Sequence, residues 1–173
     1  MDESLESLLV VLDPPQLNCL NEDNEHTLKS IVADKRLNTS SDAYLLSDVD
    51  EQLLLNIPFN QSVRIRSIVL KGSVPAQQPR LIKLFINRPT LGFGDVEDAM
   101  EPEAAQVIEL TEEQVSQGKR IPLRFVRFQH VNSLHIFVGA NGGDEQTRID
   151  GIDVLGTPSG GTRDLSGLRN QQE

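Results

Sequence analysis

The chain has 173 residues, of which 38% are hydrophobic and 24% are charged, and its formal net charge is −10. This length fits one domain, and the composition is typical of a globular protein that can bury a core without disulfides. The excess of carboxylates disfavours nucleic-acid binding, because phosphate recognition draws on Lys and Arg. No 18-residue apolar run occurs, which disfavours a membrane span. We therefore expect neither a nucleic acid nor a membrane among its partners.

Two features indicate a reducing compartment. Cys19 is the only cysteine, which rules out an intrachain disulfide and a zinc cage built from cysteines. The N-terminus carries Asp2, Glu3 and Glu6, where a signal peptide needs positive charge. We therefore expect a soluble protein of the cytoplasm, with the nucleus as a second compartment.

The acidic residues are unevenly distributed. Residues 1–60 hold 12 acidic and 3 basic side chains, and a second acidic stretch from Asp95 to Glu113 has eight carboxylates and no Lys or Arg. Such a surface can steer a basic protein partner. It can equally serve only to keep the protein soluble, and charge alone favours this second interpretation.

The first third of the chain predicts short helical segments. Leucines at helical spacing predict an amphipathic helix from Leu5 to Leu12, which Asp13-Pro14-Pro15 ends. Leu17 to Leu20 is expected to be extended. The segment from Asn24 to Ala33 is expected to form one or two helical turns with Asn24 as the N-cap.

From Leu53 onward, apolar and polar residues alternate, which predicts β-strands. The expected strands are Leu53 to Ile57, ended by Pro58; Ser62 to Leu70; Arg80 to Asn87; Gln106 to Leu110; Leu123 to Phe128; Ser133 to Val138; and Arg148 to Leu155. In the second of these, Val63, Ile65 and Val69 should share one side. Long connections rich in Gly, Pro and Asn favour a β-sandwich with crossover links.

Turn chemistry separates and follows the strands. Gln129 to Asn132 is expected to form a turn between two strands. Thr111-Glu-Glu-Gln114 is typical of a capping box that opens a helical turn, and Gly118 should close it. The tail of residues 159–173 contains glycines and few apolar side chains, so we expect it to be mobile.

Five blocks carry information beyond their periodicity. They are Cys19 to Glu22, Leu46 to Leu53 followed by Ile57 to Asn60, Lys83 to Asn87, Glu109 to Glu113, and Ile121 to Gly139. In this order they resemble the PITH domain, the proteasome-interacting module named from thioredoxin-like proteins. The resemblance covers residues 5–158, which we expect to form the domain. It implies an all-β jelly-roll β-sandwich similar to galactose-binding-like domains, with short peripheral helical turns, and docking on the regulatory particle of the 26S proteasome.

The chain departs from the family pattern in its cysteines. Many relatives carry an N-terminal thioredoxin domain with a Cys-x-x-Cys motif, which is missing from this sequence. The family often has a second cysteine two residues before the position of Cys19, and here that position is Leu17. Dithiol exchange by the usual route therefore cannot occur in this chain.

No residue pattern predicts catalysis or a cofactor. His130 and His135 are five residues apart, which places them neither on one helix face nor on one strand face for a zinc site. Asp48-Val-Asp50-Glu51 offers clustered oxygens to calcium, although Asp48 is better explained as a cap for backbone amides at a strand start. Cys19 has no local cationic neighbour, so we expect a buried, inert thiol. The chain is expected to be neither an enzyme nor a metalloprotein.

Six polar or charged residues of the shared blocks are the candidate partner contacts: Asp48, Asp50, Glu51, Asn60, Arg124 and Asn132. Each also has a structural interpretation. The two asparagines fall where turns are expected, and Asn tolerates the left-handed conformation. Arg124 could pair with a surface carboxylate. The alternative function is a ligand- or carbohydrate-binding sandwich, which the absence of Trp and the single Tyr44 disfavour. In either case we expect a monomer.

Overall fold

The computed structural model describes residues 5–158, and strands dominate them. The strands are β1 (Glu6–Ser7), β2 (Asn18–Leu20), β3 (Leu45–Leu46), β4 (Leu53–Lys71), β5 (Pro79–Ile86), β6 (Gln106–Glu109), β7 (Ile121–Pro122), β8 (Val131–Asn141), β9 (Arg148–Ile149) and β10 (Gly151–Pro158). The α-helices are α1 (Leu28–Val32), α2 (Phe93–Val96) and α3 (Glu112–Gln117). Among residues 5–158, no helix has the length and apolarity needed to cross a membrane.

Strand β4, 19 residues long, belongs to both layers of the fold. Its first half pairs with β2 and β8. Strand β8 also pairs with β5, and β5 pairs with β6, so these strands form the first layer. Its second half pairs with β7 and β10, and β10 pairs with β1. Between the halves, residues 59–62 lie opposite the single residue Asn132, which interrupts the ladder. All these pairs are antiparallel, and the arrangement confirms the predicted β-sandwich.

The main core lies between the two layers. Leu55 and Ile57 from the first half of β4 share one buried cluster with Ile68 from its second half. Ile136 of β8 and Val154 of β10 complete this cluster from either side. Burying each such side chain contributes about 1.5–3 kcal/mol, so the alternation of apolar residues along each strand fixes which face is inside.

The predicted sides of β4 are wrong beyond Ile65. Both Ile65 and Ile68 join the main core, whereas Val69 is buried outside that cluster. The cause is a β-bulge: Ile65 lies opposite Gly156 and Ser67 lies opposite Leu155, so Arg66 is one additional residue on β4. One additional residue reverses the alternation that follows it.

A second, smaller core lies on the outer face of the first layer. Phe85 and Phe137 pack there against Val96 of α2. Lys83, which is only 5% exposed, donates from Nζ to the Glu97 carbonyl at 2.7 Å. These contacts anchor the long connection between β5 and β6 onto the sheet.

Two predicted elements near the N-terminus differ in the structure. The segment from Leu5 to Leu12 forms β1 and a 3-10 turn (Leu8–Val11) instead of one helix, because its start pairs with β10. The N-cap of α1 is Thr27, not Asn24. Its Oγ1 accepts a hydrogen bond from the Ser30 amide at 3.3 Å.

The predicted strand from Leu123 to Phe128 does not form. Strand β7 ends at Pro122, which has no amide to donate, and a 3-10 turn (Phe125–Arg127) follows it. The predicted turn before the next strand is partly absorbed into β8, which begins at Val131. Pro58 does not end a strand either, since it lies within β4 beside the interruption of the ladder.

The capping box is confirmed. Thr111 Oγ1 accepts from the Gln114 amide at 3.1 Å, and Gln114 Oε1 accepts from the Thr111 amide at 2.9 Å. Gly118 closes α3 with a φ of 64°, a left-handed conformation that glycine adopts without strain. The predicted mobile tail, residues 159–173, lies outside the described residues.

Candidate functional site

Three of the six candidate contact residues lie in one loop between β3 and β4. We call residues 48–51 the acidic loop. Asp48 and Asp50 are exposed, and Val49 between them is 83% exposed. An aliphatic side chain this open to solvent contributes nothing to a core. It is available to contact a partner, together with the carboxylates beside it.

Asn21 fixes the conformation of the acidic loop. Its Nδ2 donates to Asp50 Oδ1 at 2.9 Å and to the Gln52 carbonyl at 2.7 Å, while its Oδ1 accepts from the Val49 amide at 3.1 Å. Its carbonyl accepts from the Asp48 amide at 2.8 Å. Asn21 itself has a φ of 70°, which Asn tolerates better than most residues. A loop held in this way loses little conformational entropy on binding.

A second set of hydrogen bonds ties the loop to the connection between β8 and β9. The buried Thr147 donates from Oγ1 to the Glu51 carbonyl at 2.6 Å and from its amide to Ser47 Oγ at 2.8 Å. Gln146 donates from Nε2 to the Ser47 carbonyl at 2.8 Å. The acidic loop is therefore anchored at both ends.

Asp48 is not the residue that satisfies backbone amides at the start of β4. That role belongs to Asp50, whose Oδ1 accepts from the Gln52 amide at 3.0 Å. The carboxylate of Asp48 has no hydrogen bond to another residue within 5–158. In the same range, no group of three or more His, Cys, Asp and Glu side chains comes together as a metal site.

Asn60 and Asn132 lie at the interruption of the β4–β8 ladder, and the prediction that they occupy turns is wrong. Both are inside strands, and neither has a positive φ. The asparagine with a left-handed backbone beside this interruption is Asn87, which follows β5 and has a φ of 57°. Its Oδ1 accepts from the Asn132 amide at 2.7 Å. The turn-forming asparagine therefore belongs to the neighbouring strand.

Arg124 forms the predicted surface ion pair. Its partner is Glu101, and the arginine side chain is 55% exposed. The Val107 amide, followed by Arg124, lowers the pKa of Glu101. An exposed pair of this kind contributes little to stability, because solvent screens its charges. The structure thus gives Arg124 a partner in the β5–β6 connection.

A polar row that the sequence analysis missed crosses three strands. Asn18 of β2, Asn56 of β4 and His135 of β8 lie in register with one another. Asn56 Nδ2 donates to Asn18 Oδ1 at 2.8 Å, and His135 Nδ1 lies 2.7 Å from Asn56 Oδ1. We call these three residues the polar row. They line a cavity of about 470 Å³.

The imidazole of His135 is neutral. Asn56 Oδ1 can only accept, so His135 Nδ1 carries a proton, and the Arg88 amide can only donate, so Nε2 carries none. Nε2 lies 2.9 Å from Ser133 Oγ and 3.3 Å from the Arg88 amide, which both donate to it. Burial, followed by the positive charge of Arg88, lowers the pKa of His135 to about 4.

Cys19 is buried, as predicted, with an exposed fraction of 7%. Burial, followed by the negative charge of Glu22, raises the pKa of its thiol. The thiolate, which is the reactive form, is therefore disfavoured.

Tyr44 is held between two other side chains. Its ring centroid lies 4.0 Å from that of His26, and the guanidinium of Arg148 lies 3.7 Å from it. Two groups at such distances must occupy opposite faces of the ring. Neither face of Tyr44 is left open for stacking on a ligand.

Solved structures share the fold at low sequence identity. The family 32 CBM from C. perfringens NanJ, solved in complex with galactose, has a TM-score of 0.61 and 8% identity, covering 88% of this chain and 99% of that chain. A fucolectin from Morone saxatilis has a TM-score of 0.60 and 8% identity, covering 90% of this chain and 50% of that chain. These neighbours confirm the galactose-binding-like sandwich and concern the fold alone.

The sequence relatives are more similar. Thioredoxin-like protein 1 of Schizosaccharomyces pombe is 44% identical over 160 residues, which cover 89% of this chain and 52% of that protein. PITH domain-containing protein 1 of Danio rerio is 34% identical over 145 residues, which cover 84% of this chain and 67% of that protein. The chain thus spans about half the length of the S. pombe relative. The family model described as PITH domain matches residues 1–173, and the chain therefore belongs to the PITH domain family.

Proposed function

We propose that the chain is a non-catalytic protein-interaction module that docks on the regulatory particle of the 26S proteasome through its acidic loop. The choice of partner follows from the resemblance of the sequence blocks to this family. One observation supports the surface: Val49 and its flanking carboxylates are exposed on a loop whose backbone Asn21 holds in place. Such a loop suits a small apolar pocket rimmed by Lys or Arg.

The chemistry of the described residues supports binding over catalysis. Cys19 is buried with a raised thiol pKa, so it is a poor nucleophile. Both ring nitrogens of His135 are already engaged in hydrogen bonds, which leaves no free lone pair for a general base.

The test is a pull-down of purified 26S proteasome with the wild-type chain and with a triple variant, Asp48→Asn, Asp50→Asn and Glu51→Gln. These changes remove charge, and Asn at position 50 keeps the oxygen that accepts from Asn21 and Gln52. We expect capture by the wild type and loss of capture by the variant.

A matched control removes three carboxylates elsewhere, with Glu97→Gln, Asp98→Asn and Glu103→Gln. These residues are exposed and belong to the second acidic stretch. The control should be captured like the wild type. Equal loss in both variants would show that net charge matters and the acidic loop does not. No capture of the proteasome by the wild type would overturn the docking proposal itself.

The carbohydrate-binding alternative has weaker support. The fold neighbours include a module solved in complex with galactose, but at 8% identity. Sugar sites commonly stack an aromatic ring on the sugar, and both faces of Tyr44 are occupied. A glycan array tests this alternative. Selective binding to particular glycans would favour it, and no binding to any glycan would exclude it.

A further inference from the structure

The cavity of about 470 Å³ lies on the outer face of the first layer, beside the part that α2 covers. The polar row forms its floor. Leu20, Ile57 and Pro58 line it from β2 and β4, and residues 88–91 line it from the chain that leaves β5. The cavity therefore combines a polar floor with partly apolar walls.

Asn87 positions the wall that follows β5. Its left-handed backbone turns the chain, and its Nδ2 donates to the His130 carbonyl at 2.9 Å. Its Oδ1 accepts from the amides of Asn132 and Ser133 at 2.7 and 3.3 Å. The next residue, Arg88, is fixed by the bond from its amide to His135. The wall is thus held at the rim of the cavity by hydrogen bonds to β8 and to His130 just before it.

The cavity offers donors that its internal bonds do not use. Asn56 Nδ2 has two hydrogens and gives one to Asn18 Oδ1. The side chains of Arg88 and Thr90, which line the cavity, form no hydrogen bond with another residue within 5–158. A guanidinium carries five N–H groups, so most of the hydrogen-bonding groups that the cavity leaves unused are donors.

Arg88 also has no carboxylate partner in the described range, although the chain carries 26 acidic residues. Among the described residues that line the cavity, Arg88 is the only cationic one, since His135 is neutral. Arginine matches planar, bidentate anions better than any other side chain does. An anion from outside the chain would complete this arrangement.

We infer that the cavity binds a carboxylate carried by a peptide, with Arg88 as the anion-binding side chain. The guanidinium would hold both carboxylate oxygens, and the free hydrogens of Asn56 and Thr90 would supply further donors. Leu20 and Leu91, which are only partly buried, would contact apolar residues next to the carboxylate in the peptide. A doubly charged phosphate suits the site less, because one cation would have to balance two charges.

This site does not depend on docking through the acidic loop. Asn56 is four residues along β4 from Gln52, which is about 13 Å at roughly 3.3 Å per residue. The two surfaces also have opposite charge, so they select opposite ligands. The acidic loop suits a basic surface, whereas the cavity suits a carboxylate.

The test is an NMR titration of the folded chain with four short peptides. One is acetyl-Ala-Leu-Glu-Leu-Ala-amide, and its control has Gln in place of Glu. The other is acetyl-Ala-Leu-Ala-Leu with a free C-terminus, and its control is amidated. Inorganic phosphate is a fifth probe. The reporters are the side-chain amide resonances of Asn18 and Asn56.

We expect at least one of the two carboxylate peptides to shift these resonances. Binding of the Glu peptide would indicate a side-chain carboxylate as ligand, and binding of the peptide with a free C-terminus would indicate a C-terminal carboxylate. Arg88→Gln should weaken binding about tenfold or more, as for the loss of a charge-assisted hydrogen bond. Arg120→Gln is the matched control, because Arg120 is exposed and outside the cavity lining, and it should leave the affinity unchanged. Equal binding of the neutral peptides, tighter binding of phosphate, no shift with any peptide, or full affinity in R88Q would each overturn the inference.

Discussion

The side chain of Asn21 donates to the carboxylate of Asp50 at 2.9 Å, across 29 positions of the sequence. Asn21→Gly should release the acidic loop, because glycine keeps the left-handed backbone but loses every side-chain bond to Val49, Asp50 and Gln52. We expect a loss of about 1–2 kcal/mol in the free energy of unfolding. Hydrogen exchange at the Val49 amide, which bonds to Asn21 Oδ1, should become faster.

Asn132→Ala is the control for this change. The side chain of Asn132 is exposed and forms no hydrogen bond with another residue in 5–158, so exchange at Val49 should stay at its wild-type rate. Unaltered exchange at Val49 in the Asn21→Gly variant would mean that the loop is ordered by its bonds to Thr147 alone.

Val49 provides a test of the docking surface that leaves charge untouched. Val49→Ser should change the free energy of unfolding by no more than about 0.5 kcal/mol, because the side chain is 83% exposed. Capture of the proteasome should weaken. Val126→Ser is a matched control, since Val126 is 76% exposed on a different segment. Equal effects of the two variants on capture would remove Val49 from the interface.

The salt dependence of the association rate distinguishes electrostatic steering from docking itself. If the carboxylates of Asp48 and Asp50 attract the partner, the association rate should fall as ionic strength rises, because exposed charges are screened within about 10 Å at 0.1 M salt. Stopped-flow or surface-bound kinetics measures this rate. The charge-neutral loop variant should show a smaller salt dependence. An association rate that does not change with ionic strength would exclude steering by these carboxylates and leave the docking proposal intact.

Much of the strand content was predictable, because the alternation of apolar and polar residues within each short segment indicates which residues are buried. Strands β5 and β6 and the capping box at Thr111 follow from short windows of sequence. The bulge at Arg66 does not, since it depends on how β4 pairs with β10, more than 80 residues away in the chain. Periodicity therefore predicts the strand and misses the reversal of its faces at Ile68.

The same distinction applies to the candidate sites. Asp48, Asp50 and Glu51 are neighbours in sequence, so their clustering was predictable. The anchoring by Asn21 was not, although Asn21 lies in the Cys19 to Glu22 block that carries the family resemblance. The polar row takes one residue from each of three strands, and no single stretch of sequence contains it.

Gly156 is required by the close approach of β10 to β4. A Cβ at this position would overlap the Arg64 carbonyl oxygen, which belongs to the backbone and cannot move aside cheaply. Gly156→Ala should therefore lower the free energy of unfolding by about 3 kcal/mol or more, as measured by urea denaturation. Gly94→Ala is the control, because its Cβ would meet nothing within 4 Å. Wild-type stability in G156A would show that the strands can separate at the bulge.

The neutral state of His135 predicts that the protein loses stability in mild acid. Its pKa falls from an ordinary value of 6.5 to about 4 in the folded chain. The unfolded chain therefore binds a proton first, and the stabilisation present above pH 6.5 is lost as the pH falls toward 4. Between pH 7 and pH 5 this amounts to about 2 kcal/mol. Urea denaturation across that range measures it.

His135→Gln isolates this contribution. Gln cannot be protonated and keeps an amide donor near Asn56, so the free energy of unfolding should vary less with pH even if it is lower throughout. Carboxylates with lowered pKa values, such as Glu101, lose their stabilisation only below the ordinary range of Glu, outside the pH 7 to pH 5 window. The difference in slope therefore belongs to the histidine. Identical slopes would mean that His135 is not held neutral, and that its Nε2 does not accept a hydrogen bond from the Arg88 amide.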